Sequence, residues 1–218
     1  MTSTTAPQPV TGPSPAPAAR GRRVVLGAVA VLVLVTVAGV VLLTRGGSDK
    51  APYTDARSTG RLTLCGADGK PVTSGSTTRA PFVARAVGST GVTGQAAATG
   101  RTATLYAFQP RQGTDAQEWS GQQLTAAATY TNPRHPMAEA TSKDIALRDF
   151  LTAFPARWDG YLQLRLYLAS PVTGAGAQYD SASIKVTGDR WKLVGTAGTA
   201  SCTGGDATSS ETRTASTS

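Results

Sequence analysis

The chain has 218 residues and a net charge of +8, which leaves room for one ordinary domain beside its targeting or linking segments. One histidine and two cysteines exclude a centre built on two histidines and make a structural zinc site implausible. The base is unevenly spread: residues 1–23 hold Arg20, Arg22 and Arg23 with no acid, while the chain beyond residue 43 carries eighteen bases against thirteen acids.

Residues 1–19 contain Pro7, Pro9, Pro13, Pro15 and Pro17 among Ala, Ser and Thr. Such a segment cannot bury apolar surface, so residues 1–23 are expected to form a disordered tail. From 24 to 43 the chain has no charge, and Val and Leu fill nine and five of its positions. As a helix this stretch spans about 30 Å, the thickness of a bilayer's hydrocarbon core. Each central Val or Leu favours insertion by roughly 0.3–0.6 kcal/mol, so the sum amounts to several. The three arginines before it outweigh Arg45 and Lys50, which Asp49 partly offsets. The expected topology is single-pass in the cell membrane, with the N-terminus cytoplasmic and the C-terminal part extracellular. A cleaved signal peptide would have a shorter core, about 7–15 residues, and a small-residue cleavage site. Here the core ends in Leu42-Leu43-Thr44-Arg45, and an uncleaved anchor is the better reading. Nucleic acid is not an expected partner for an exported domain.

Residues 44–59, with Gly46, Gly47 and Pro52, read as a linker. Between 60 and 202 the pattern turns to period two, the mark of half-buried strands. Strands are predicted at 62–65, 81–87 and 101–108. The clearest lies at 161–168, where Leu162, Leu164, Leu166 and Leu168 share one face and Tyr161, Gln163, Arg165 and Tyr167 the other. Ala182, Ile184 and Val186 alternate in a further strand, and Thr187-Gly188-Asp189-Arg190 turns it into Trp191-Lys192-Leu193-Val194 as a terminal hairpin. One helix is predicted from Thr141 to Phe154, with Leu147, Phe150, Leu151 and Phe154 as its apolar stripe, Thr141 and Asp144 as its cap and Pro155 beyond its end. The expected fold is mainly β, an antiparallel β-sandwich or an α+β sheet with one helix, with a closed barrel as the alternative. Residues 203–218 are almost wholly small, polar or charged and read as a second disordered tail.

Cys65 ends the first predicted strand and Cys202 follows the last, both on the side of the membrane where disulfides persist. An intramolecular bond between them would tie the ends of the domain together. An intermolecular bond and free thiols stay open as alternatives.

Catalytic chemistry is poorly represented. His135 stands in Asn132-Pro133-Arg134-His135-Pro136, a proline-locked loop, and no Gly-x-Ser-x-Gly elbow accompanies it. Asp144 and Asp149 are five apart on the predicted helix and share no face. Neither phosphate-binding nor calcium-binding loop spacing occurs, and no cofactor or metal is expected. Trp119, in Glu118-Trp119-Ser120-Gly121, is the tryptophan least tied to a core strand. With His135 it marks a candidate binding surface, whereas Trp158 and Trp191 are expected in the core.

Leu64-Cys65-Gly66, Arg101-Thr102-Ala103-Thr104-Leu105, Tyr130-Thr131-Asn132-Pro133, Arg157-Trp158-Asp159-Gly160 and Val186-Thr187-Gly188-Asp189-Arg190-Trp191 resemble phrases in uncharacterised actinobacterial single-pass membrane proteins with an extracytoplasmic β-rich domain. The resemblance covers about residues 60–196 and implies location and fold but no activity. The expected function is a non-catalytic binding or interaction module of the cell envelope, whose partner is an envelope protein or an anionic wall polymer. Two alternatives are carried: an accessory subunit of a secretion or conjugation complex, which the layout resembles, and an envelope hydrolase using His135.

Overall fold

The computed structural model describes residues 50–203. The expected span at 24–43, the tail at 1–23 and nearly all of 203–218 lie outside the described residues. Among the described residues no helix is long and apolar enough to cross a membrane.

In chain order the strands are β1 (Ser58–Cys65), β2 (Ser74–Ser76), β3 (Arg85–Gly88), β4 (Thr102–Phe108), β5 (Gly121–Gln123), β6 (Ala128–Thr129) and β7 (Met137–Glu139). After helix α1 (Leu147–Ala153) come β8 (Tyr161–Ser170), β9 (Gly174–Ala175), β10 (Tyr179–Thr187) and β11 (Arg190–Val194). The larger sheet runs β5–β4–β8–β10, and β11 and then β2 extend it past the second half of β10. A smaller sheet holds β1, β3 and β7.

β1 serves both sheets. Residues 58–61 run parallel to the start of β10, and residues 62–65 pair antiparallel with β3. The expected antiparallel architecture therefore holds everywhere except this one pairing, and the sheet is mixed. A strand that changes sheets must bend, and a register shift lies between Ser58 and Gly60. At that bend the buried carboxylate of Asp180 accepts from the backbone N–H of Thr90 at 2.7 Å. Gly60 leaves room for it, because a Cβ there would overlap the Asp180 carboxylate and the Thr90 hydroxyl.

The faces turned toward each other make the core. Leu62 and Leu64 of β1, Ala86 of β3 and Ala138 of β7 meet Ala103, Leu105 and Ala107 of β4 and the leucines of β8. Leu162, Leu164 and Leu166 are at most 1% exposed; each is worth about 2 kcal/mol, so this face of β8 outweighs any single polar contact nearby. Ile184, Trp191 and Leu193 continue the layer, and Phe82 packs edge-on against Trp191 with ring centroids 5.9 Å apart. The predicted terminal hairpin is present, pairing Thr187 with Arg190 and Val186 with Trp191.

Helix α1 is shorter than the apolar stripe suggests. Asp144 closes a turn on Thr141, accepting from its backbone N–H at 2.6 Å and its hydroxyl at 3.0 Å, and also takes the N–H of Ala126. These bonds compete with helix formation. The helix starts at Leu147 instead, where Asp149 accepts from the N–H of Ala146 at 3.0 Å. Leu147 and Phe150 are fully buried beneath it.

On its other face the smaller sheet carries a second cluster of Cys65, Val87, Ala200 and Cys202. Cys65 and Cys202 are joined, with Cα atoms 5.6 Å apart and a sequence separation of 137. For so long a loop the chain-entropy model gives at most about 5 kcal/mol.

Gly60→Ala is expected to destabilise the protein by about 1–3 kcal/mol through overpacking at the Asp180 carboxylate. A lowered urea midpoint with unchanged slope checks it, and an unchanged midpoint refutes it.

Candidate functional site

The sequence marks the odd-numbered face of β8 as the wet one. It is not wet. Tyr161, Gln163 and Arg165 are 5%, 2% and 1% exposed, because two segments cover the outer side of the larger sheet. One is residues 51–57, inside the stretch read as linker, and the other is the loop of residues 111–119.

Arg165 is the centre of this layer. Its Nε donates to Gln163 Oε1 at 2.6 Å and its Nη2 to the carbonyl of Ala116 at 2.7 Å. The guanidinium lies 3.9 Å from the ring centroid of Phe108, 4.7 Å from Tyr179 and 5.3 Å from Trp119. Register explains part of this cage, since Tyr106 and Phe108 on β4 stand opposite Arg165 and Gln163 on β8. The countercharge is Asp55, whose Oδ2 lies 3.5 Å from Nη2; the Asp55 side chain is only 2% exposed.

Asp55 is itself held. The Tyr179 hydroxyl donates to its Oδ2 at 2.8 Å, and Gln117 Nε2 reaches Oδ1 at 3.4 Å and the Tyr179 oxygen at 3.0 Å. Two residues earlier Tyr53 donates from its hydroxyl to Ser183 Oγ at 2.9 Å. Its ring stands edge-on to Trp119, centroids 4.9 Å apart, and 5.9 Å from Trp158. Burial pushes the phenols of Tyr53 and Tyr179 well above the ordinary tyrosine range.

Beside this cluster runs a groove of about 1010 Å³, lined by residues 51–57, Arg111, residues 113–117, Trp119 and Trp158. That volume is at the top of the usual range for ligand sites, enough for a short peptide or several sugar rings. Arg57 and Arg111 are exposed at its rim. Trp158 owes its place to the turn at Asp159 and Gly160, both with positive φ, which leads into β8.

The two residues marked from sequence take different places. Trp119 is 5% exposed, its Nε1 donates to the carbonyl of Thr114 at 3.2 Å, and it lines the groove. Trp158, expected in the core, is partly exposed and lines the groove too, while Trp191 is a core residue at 1%. His135 does not line the groove. It lies in the 132–136 loop, which packs against residues 91–92, and its buried Nδ1 has no partner among the described residues. No group of three or more His, Cys, Asp or Glu among the described residues is arranged to hold a metal. Tyr53, Asp55, Gln117, Arg165 and Tyr179 are the residues that sequence reasoning missed. The available signals were an arginine beside a glutamine in a leucine-rich strand, and a tyrosine and an aspartate in a stretch of small residues.

No family model matches the chain, and no match is found among curated proteins or solved structures.

Arg165→Met is expected to cost about 3–5 kcal/mol, the usual effect of breaking a buried ion pair from one side. The double variant with Asp55→Asn should lose less than the two single variants summed, and additive losses in urea titrations would show the pair to be uncoupled.

For Tyr53 and Tyr179 the folded state binds the phenolic proton more tightly than the unfolded state does. Their contribution is intact below the unfolded pKa and is lost as pH rises beyond about 10. Urea midpoints should therefore fall above that pH, and less steeply in Tyr53→Phe.

Proposed function

We propose that this chain is a single-pass membrane protein whose extracytoplasmic domain is a non-catalytic binding module of the cell envelope. Its ligand surface is the groove between residues 51–57 and the 111–119 loop. The observation that carries this reading is the groove itself: aromatic walls from Trp119 and Trp158, two arginines on the rim, and behind them an arginine already neutralised by Asp55. Aromatic rings offer large contact area at low conformational cost, and rim arginines steer anionic partners. An anionic wall polymer or an acidic face of an envelope protein suits both features. His135 lies away from this surface, and the carboxylates that line it are already engaged, Asp55 by Arg165 and Asp115 by the backbone N–H of Gln117 at 2.8 Å.

The membrane location rests on the uncharged stretch at 24–43 and the arginines before it. Protease added to intact cells should then remove the C-terminal domain.

Full-length protein in detergent should bind purified anionic wall polymer or an envelope protein fraction. Trp158→Ala, or Arg57→Glu with Arg111→Glu, should weaken that binding at least about tenfold, roughly 1.4 kcal/mol. Binding that survives both changes overturns the reading, as does hydrolase turnover that disappears in His135→Ala.

A further inference from the structure

Resting on the groove reading, we propose that the Arg165 pocket recognises an extended peptide with an aromatic residue two positions before an acidic one. In this structure the chain's own Tyr53-Thr54-Asp55 fills that pocket, and a partner peptide of the same chemistry displaces it.

The receptor is built without help from residues 51–57. Arg165 and Gln163 come from β8, Tyr179 and Ser183 from β10, and Gln117 and Trp119 from the covering loop. Together they present a cation, hydroxyls, an amide donor and an aromatic wall, a set that suits a carboxylate next to a ring. The segment delivers two side chains inward, Tyr53 and Asp55, while Pro52, Thr54 and Ala56 face solvent. That alternation is what an extended peptide presents to pockets for every second residue.

The segment is held by two inward-facing side chains and by a backbone bond to β10. Its side-chain anchors are those of Tyr53 and Asp55, and the N–H of Tyr179 donates to the carbonyl of Arg57 at 3.1 Å. The Asp55–Arg165 contact, 3.5 Å through one oxygen, is longer than the roughly 2.7–2.9 Å of a good charge-assisted bond. A free carboxylate can improve on it. The groove runs along the same segment and gives an incoming peptide its approach, with Arg111 on the covering loop offering a cation to an acidic one. A tethered segment competes at an effective concentration on the order of millimolar, so the site presents itself to partners at reduced apparent affinity.

The test uses full-length protein in detergent micelles and a fluorescent synthetic peptide of residues 50–57, followed by anisotropy. With the internal segment weakened by Tyr53→Ser and Asp55→Asn, the peptide should bind at least tenfold more tightly than to the unaltered protein. Adding Arg165→Gln, or replacing the peptide's aspartate by asparagine, should abolish that gain. Each variant is first shown to melt cooperatively. Asp55→Asn alone replaces the double change, and Arg165→Lys replaces Arg165→Gln, wherever folding is lost. Equal binding to weakened and unaltered protein overturns the proposal, as does binding indifferent to the peptide's aspartate. Wall polymer that binds in the groove without regard to Arg165, together with no peptide exchange, overturns this inference and leaves the groove reading standing. Peptide exchange without any envelope ligand does the reverse.

Discussion

A guanidinium withdrawn from water in the middle of a sheet face needs a countercharge and partners for its N–H groups, or the fold carries several kcal/mol of uncompensated desolvation. Arg165 is in that position, and most of what surrounds it follows from meeting the demand. Gln163 and the Ala116 carbonyl take its N–H groups, and rings from β4, β10 and the covering loop close over its faces. Asp55 supplies the charge. Because Asp55 lies outside the sheets, the segment that carries it must lie across them, and Tyr53 is placed against Trp119 as a result. The groove is the gap left between this segment and the loop.

The sheets themselves answer to a different constraint. β1 is divided between two partners, and its bend is packed around a buried carboxylate that only a residue without a side chain can approach. On the far side, the disulfide and its small apolar cluster fasten the C-terminal segment to the smaller sheet. Two independent devices thus close the two outer surfaces: a covalent bond on the smaller sheet and a polar cluster on the larger.

The leucine face of β8, the terminal hairpin and the Cys65–Cys202 pairing were legible in the sequence, because each depends on a local period or on the position of two unique residues. The outer face of β8 was not. Alternation reports which residues differ in polarity, and Gln163 and Arg165 are polar; it does not report that another part of the chain covers them. The helix was overextended for a related reason, since Thr141 and Asp144 have the spacing of a cap while their hydrogen bonds form a separate turn. Trp119 stood out in the sequence as the tryptophan least tied to a core strand, and it lines the groove although it is buried. The mixed character of the sheet could not be read at all, because the β1–β10 pairing joins segments with no shared local signal.

Tyr179 and Asp55, joined by one hydrogen bond, are 124 residues apart in sequence, and β1 finds its parallel partner only in β10. Contacts so distant delay folding, since much of the intervening chain must be gathered before they form. A ribosome or a translocon delivers the early residues long before their partners. The first half of the first strand and the segment before it consequently wait, unpaired, until the last third of the polypeptide has emerged, and any chaperone that meets this nascent chain would meet it there.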